Sequence, residues 1–116
     1  MTLVLVLTTE ANQAQAEALA AALLEQRLAA CIALQPQQSL YHWQGRIEQD
    51  SEVQLLIKTS PERLEALNSE LHRRHSYDVP EWIVIPAECS ESYGRWLSSS
   101  LKPPQPEPGD AAPPTP

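Results

Sequence analysis

The chain has 116 residues, a length that suits one domain of ordinary size. Its formal net charge of −7 makes it a poor match for nucleic-acid phosphates, whose contacts need a basic patch, and for anionic membrane surfaces. The two cysteines, Cys31 and Cys89, belong to no CxxC pair and are too few for a disulfide framework, so free thiols in a reducing compartment are expected.

Residues 3–8, LVLVLT, are short, apolar and β-branched, as in a buried strand. The apolar N-terminus lacks a positive leading region and a small-residue cleavage site, which points to a cytoplasmic location. Residues 12–28 are rich in Ala, Leu, Gln and Glu, and predict a helix. Ala16, Leu19, Ala20, Leu23, Leu24 and Leu28 form its apolar stripe, with Asn12 as N-cap and Gln15 placed to reach back. A second strand starts at ACIAL, 30–34. It runs past Pro36 through SLYHWQGRIE, and the proline places it at a bent sheet edge. EQDSE, 48–52, reads as a turn, and VQLLIKT, 53–59, as a third strand.

Ser60-Pro61-Glu62 is a helix start, with Leu64, Leu67 and Leu71 as the buried stripe and Arg73 and Arg74 suiting the C-terminal end. WIVIP, 82–86, predicts a fourth strand. Ser90 opens a last helix with Tyr93, Trp96 and Leu97 as its apolar face. The segment 102–116, KPPQPEPGDAAPPTP, holds seven of the eleven prolines and no large apolar residue, so nothing in it offsets the entropy of ordering. It is expected to be a disordered Pro-rich tail following a domain over 1–101.

The order β-α-β-β-α-β-α predicts an α+β, ferredoxin-like fold: a split β-α-β plan with an antiparallel sheet, two main helices on one face, and an extra C-terminal helix. Both faces of the first and fourth strands are apolar, while two helices cover only one face. That predicts an oligomer that packs sheet faces together.

RLAACIAL, SLYHWQGRIEQDSEVQLLIKT, HSYDVPEWIVIP and SYGRWL, in this order from Leu3 to Leu101, resemble the CutA family of divalent-cation tolerance proteins. The resemblance implies a ferredoxin-like homotrimer similar to the nitrogen-regulatory PII proteins, whose intersubunit clefts bind small molecules. It also implies binding of Cu(II) and related divalent ions. Carried over by motif, it marks Cys31, Tyr41, Trp43, Gly45, Lys58, Thr59, His75, Tyr77, Asp78, Pro80 and Glu81. Ser76, Asp78 and Gln37 depart from the family pattern, where proline, glutamate and glycine are usual.

Two sets of site residues follow. His75, just past a helix end and expected to be exposed, is the first candidate metal ligand. Cys31 is a second, softer one, against its reading as a small buried strand residue. His72, three residues before His75, shares its helical face but not the motif. Tyr41, Trp43, Lys58, Tyr77 and Glu81 suggest an intersubunit cleft for a small polar ligand, against their reading as interface packing with a buried Lys58–Glu81 pair. No closed tetrahedral ligand set, HExxH, Gly-rich phosphate loop or GxSxG is present, so neither a structural zinc nor an enzyme is expected. The sequence thus predicts a non-enzymatic homotrimer that binds divalent metal, copper first, with no organic cofactor and with itself as partner. The alternative is a PII-like sensor that holds a small molecule in its clefts.

Overall fold

A computed structural model describes residues 1–101; the segment expected to be a tail, 102–116, lies outside the described residues. The elements run β1 (Thr2–Glu10), α1 (Gln13–Glu25), β2 (Cys31–Trp43), β3 (Arg46–Thr59), α2 (Leu64–Arg74), β4 (Ile83–Glu88) and α3 (Glu91–Ser100). A 3₁₀ turn over Pro61–Arg63 leads into α2, and the Ser60 carbonyl, not its hydroxyl, closes that turn. The four strands form one antiparallel sheet in the order β2-β3-β1-β4, the split β-α-β arrangement expected.

Antiparallel partners share a face, so the register sorts the sheet. Val4, Val6, Val53, Leu55 and Ile57 point to one side. There they meet Ala16, Leu19, Ala20 and Leu23 of α1 and Leu67 and Leu71 of α2. Asn12 caps α1 by accepting from the Gln15 N–H at 2.9 Å. The helix stops at Glu25, short of the expected Leu28. Arg27 takes a left-handed φ of 57°, and the Leu28 and Arg27 N–H groups donate to the Leu23 and Leu24 carbonyls. This closure fills orphan carbonyls and still drops Leu28 into the core.

On the other side, α3 covers one end of the sheet: Leu97 and Leu101 pack on Leu3, with Leu5, Ala87, Cys89 and Tyr93 around them. Gly94 faces the sheet, where an added Cβ would come within 2.7 Å of the Met1 sulfur. Trp96, expected on the apolar face of α3, is exposed instead. The second face is therefore partly covered within one chain, while Ile83 and Ile85 of β4 stay exposed.

The turn expected at 48–52 is not there. β2 and β3 pair without a break from Cys31–Lys58 to Trp43–Arg46, and the chain reverses at Gln44-Gly45. Both have positive φ, 50° and 77°, as a two-residue hairpin turn requires to match strand twist. Only Val53–Thr59 of β3 also pairs with β1, so the outer part of the hairpin is a free two-stranded arm. Its polar residues resemble a turn because both of its faces are open. Pro36 pairs with Val53 within β2, which is an edge strand as expected.

Leu97 is nearly fully buried between α3 and the sheet. Leu97→Ala is expected to lower unfolding free energy by about 3 kcal/mol, read from denaturant melts. A loss under about 1 kcal/mol would show that α3 does not close this face.

Candidate functional site

The site is organised around a carboxylate that the fold buries. Glu10, at the last position of β1, is 2% exposed. Its oxygens accept from the Ala11 N–H (3.1 Å), the Ser76 N–H (3.2 Å) and the Ser76 hydroxyl (2.5 Å). A buried carboxylate is tolerable only with its oxygens satisfied in this way. These bonds pin the connection between α2 and β4 against the end of β1.

His75 is locked in the same place. Its side chain is 0% exposed, contrary to the exposed ligand expected. The Thr9 carbonyl can only accept, so Nε2 carries the proton and donates to it at 2.7 Å. The Thr8 hydroxyl lies 3.4 Å from the same nitrogen. Nδ1 accepts from the Tyr77 N–H at 3.0 Å and lies 3.7 Å from Glu10 Oε2. Both ring nitrogens are occupied, and the ring packs 5.0 Å from that of Tyr77. The exposure expectation failed because the helix ends on His75 itself, whose extended backbone turns the ring back toward β1.

Tyr77 then reaches across to the arm, where its hydroxyl donates to Glu52 at 2.8 Å. Burial, followed by this bond to Glu52, raises the Tyr77 pKa, so the phenol stays protonated. On the arm itself Tyr41 donates to Asp50. That bond, with minor burial and nearby carboxylates, pushes its pKa up to about 12. Between the arm and the 77–81 connection lies an open cleft of about 620 Å³. Its walls include Tyr41, Trp43, Tyr77, Val79 and Pro80, and every charged side chain lining it is a carboxylate: Asp50, Glu52, Asp78 and Glu81.

The cleft brings together Tyr41, Trp43, Tyr77 and Glu81 within one chain, where a cleft between subunits was expected, but not Lys58. That residue lies about 20 Å along β3 from Glu52. There its Nζ meets the Tyr93 hydroxyl at 3.3 Å and lies 5.5 Å from the Tyr93 ring centre. The expected Lys58–Glu81 pair does not form within the chain. Glu81 has no hydrogen-bond or ion-pair partner among the described residues. Burial, then the neighbouring Glu52, raises its pKa.

The residues named for metal do not form one centre in this chain. His75 is held at Thr9, whereas Cys31 pairs with Lys58, which pairs with Leu5, about 13 Å back along β1. Among the described residues no group of three or more His, Cys, Asp or Glu side chains is placed to hold a metal ion. Asp50 and Glu52 were missed in the sequence because 48–52 read as a turn, and Glu10 because nothing beside the end of β1 marks it as buried. The signal that could have found the first two was Gln44-Gly45, which sets the register that aligns them with Tyr41.

A family model described as "CutA1 divalent ion tolerance protein" matches residues 4–100. The chain is 46% identical over 101 residues to the divalent-cation tolerance protein CutA of Pectobacterium atrosepticum, covering 85% of this chain and 92% of that one. It is 41% identical over 100 residues to the protein of that name from Yersinia pestis, covering 84% of each. Among solved structures, CutA1 from Pyrococcus horikoshii superposes with a TM-score of 0.84 at 35% identity, covering 86% of this chain and 99% of that one. The structure described as the periplasmic divalent cation tolerance protein CutA from Archaeoglobus fulgidus gives 0.83 at 30% identity, over 86% and 99%. No helix among the described residues is long and apolar enough to cross a membrane.

A carboxyl whose folded pKa is raised binds its proton more tightly in the folded state. Its contribution is then complete below the unfolded value of 4.5 and is lost as pH rises through the folded value. Stability of the parent should therefore fall across that window. In Glu81→Gln the fall should be smaller and the neutral-pH melting temperature equal or higher. A lower melting temperature would mean that Glu81 has a cationic partner after all.

Proposed function

The chain belongs to the CutA1 divalent ion tolerance family, and from that premise we propose that it is a non-enzymatic binding protein that takes cations at the cleft between the β2–β3 arm and the 77–81 connection. The observation that carries this reading is the uniform sign of the cleft: all of its charged lining side chains are acidic. Copper is the ion to which the reading extends first. Two carboxylates beside tyrosine hydroxyls supply oxygen donors for a divalent ion, and a second copy of the chain would complete a set that one chain lacks. The reading moves the metal away from His75, whose nitrogens would each have to surrender a hydrogen bond, and from Cys31.

Assembly as a homotrimer is part of the proposal. An isolated two-stranded hairpin is marginally stable in water. Yet the arm carries Leu40 at 67% and Ile47 at 70% exposure, and β4 adds Ile83 and Ile85. Apolar surface so placed favours covering by neighbouring copies. Two free thiols, Cys31 and Cys89, support a reducing, cytoplasmic setting.

A second reading, a PII-like sensor of a small molecule, is favoured by one observation: about 620 Å³ framed by aromatic walls is the size of an organic ligand site.

Cu(II) titration calorimetry in a non-chelating buffer tests the first reading. His42→Ala with His72→Ala is the background, which removes the exposed imidazoles. Binding near one ion per subunit, weakened at least tenfold by Glu81→Gln and unchanged by Cys31→Ser, is expected. Binding indifferent to Glu81 would overturn it. Sedimentation equilibrium should give three times the chain mass, and Leu40→Asp with Ile47→Asp should give a smaller species. A parent that sediments as a monomer would sink the assembly.

A further inference from the structure

The chemistry of the cleft narrows its occupant beyond charge. We propose that it is a site for a small organic cation, an aliphatic ammonium of polyamine type, seated against Trp43, Tyr41 and Tyr77 with its N–H donors on Glu81 and Glu52. This deepens the cleft reading above and rests on it.

The aromatic frame points to an ammonium. Trp43 is 58% exposed at the end of β2, on the same face as Tyr41, and Tyr77 faces them from the 77–81 connection. Tryptophan and tyrosine faces attract ammonium groups through their quadrupoles, most strongly where water is partly excluded. A hydrated metal ion gains nothing from such walls, nor from Val79 and Pro80, whereas an alkyl chain gains contact area from both.

The state of the carboxylates agrees. Asp50 and Glu52 each already accept a tyrosine hydroxyl, which fixes their orientation and leaves further lone pairs free. Glu81 has no partner among the described residues and sits close enough to Glu52 to feel its charge. Lys58, the cation expected to neutralise it, is committed to Tyr93 at the other end of the sheet. A ligand bringing N–H donors supplies both the charge and the hydrogen bonds that Glu81 lacks.

Spermidine is the probe, added to the full-length protein at constant ionic strength and followed by calorimetry. Saturable binding is expected. Glu81→Gln should weaken it at least tenfold, and Trp43→Leu, an exposed position that leaves the fold intact, at least threefold. Equimolar Mg²⁺ should not displace it. Circular dichroism confirms that each variant is folded; if Glu81→Gln is not, Glu52→Gln and Trp43→Leu decide. No saturable binding at millimolar spermidine overturns the proposal, as do affinity unchanged in these variants and full displacement by Mg²⁺. If spermidine fails while Cu(II) still depends on Glu81, the cation reading stands and only this inference falls. If both are indifferent to Glu81, both fall.

Discussion

The burial of Glu10 is the constraint on which the site depends. A carboxylate at 2% exposure must have its oxygens occupied, and beyond the adjacent Ala11 N–H the donors are the backbone and hydroxyl of Ser76. Satisfying Glu10 therefore fixes where α2 ends and how the chain turns toward β4. His75 and Tyr77 flank Ser76, so one ring is driven against the end of β1 and the other out toward Glu52. The wall of the cleft is a consequence of a polar group that could not be left alone. The Ser76 hydroxyl held by Glu10 restrains this turn.

The other wall comes from an unusually long hairpin. Only half of β3 is supported by β1, and the remainder is held by β2 and by cross-strand side chains such as Gln38–Ser51 and Tyr41–Asp50. This arm carries both the cleft's aromatics and the exposed apolar residues that a neighbouring copy would cover. In the proposed trimer a shift of the arm would move Tyr41 and Trp43 relative to Glu81, which would couple assembly to the proposed binding.

Much of the fold was legible in the sequence because its signals are local. Helical spacing marked α1 and α2, β-branched runs marked β1 and β4, and the acyclic order of elements admitted few topologies. The errors share a cause. Residues 48–52 looked like a turn because an arm open on both faces has no apolar alternation to display, so the hairpin reversal at Gln44-Gly45 went unread. His75 looked exposed because a histidine after two arginines at a helix end usually is. Nothing in the neighbouring residues announces a buried acid at position 10.

The sequence by itself determined the element order, most of the stripes of α1 and α2 and the edge placement of Pro36, since each rests on spacing or on one residue's backbone limits; the aromatics of the cleft were marked by the family resemblance. Only the tertiary structure decided the sign of the cleft. Lys58 and Glu81 are both motif residues, and spacing cannot tell whether they meet. Strand register does: it sends Lys58 to Tyr93 and leaves Glu81 among carboxylates. A residue's electrostatic partner depends on which strands pair and in what register, and that is a property of the whole sheet rather than of any segment.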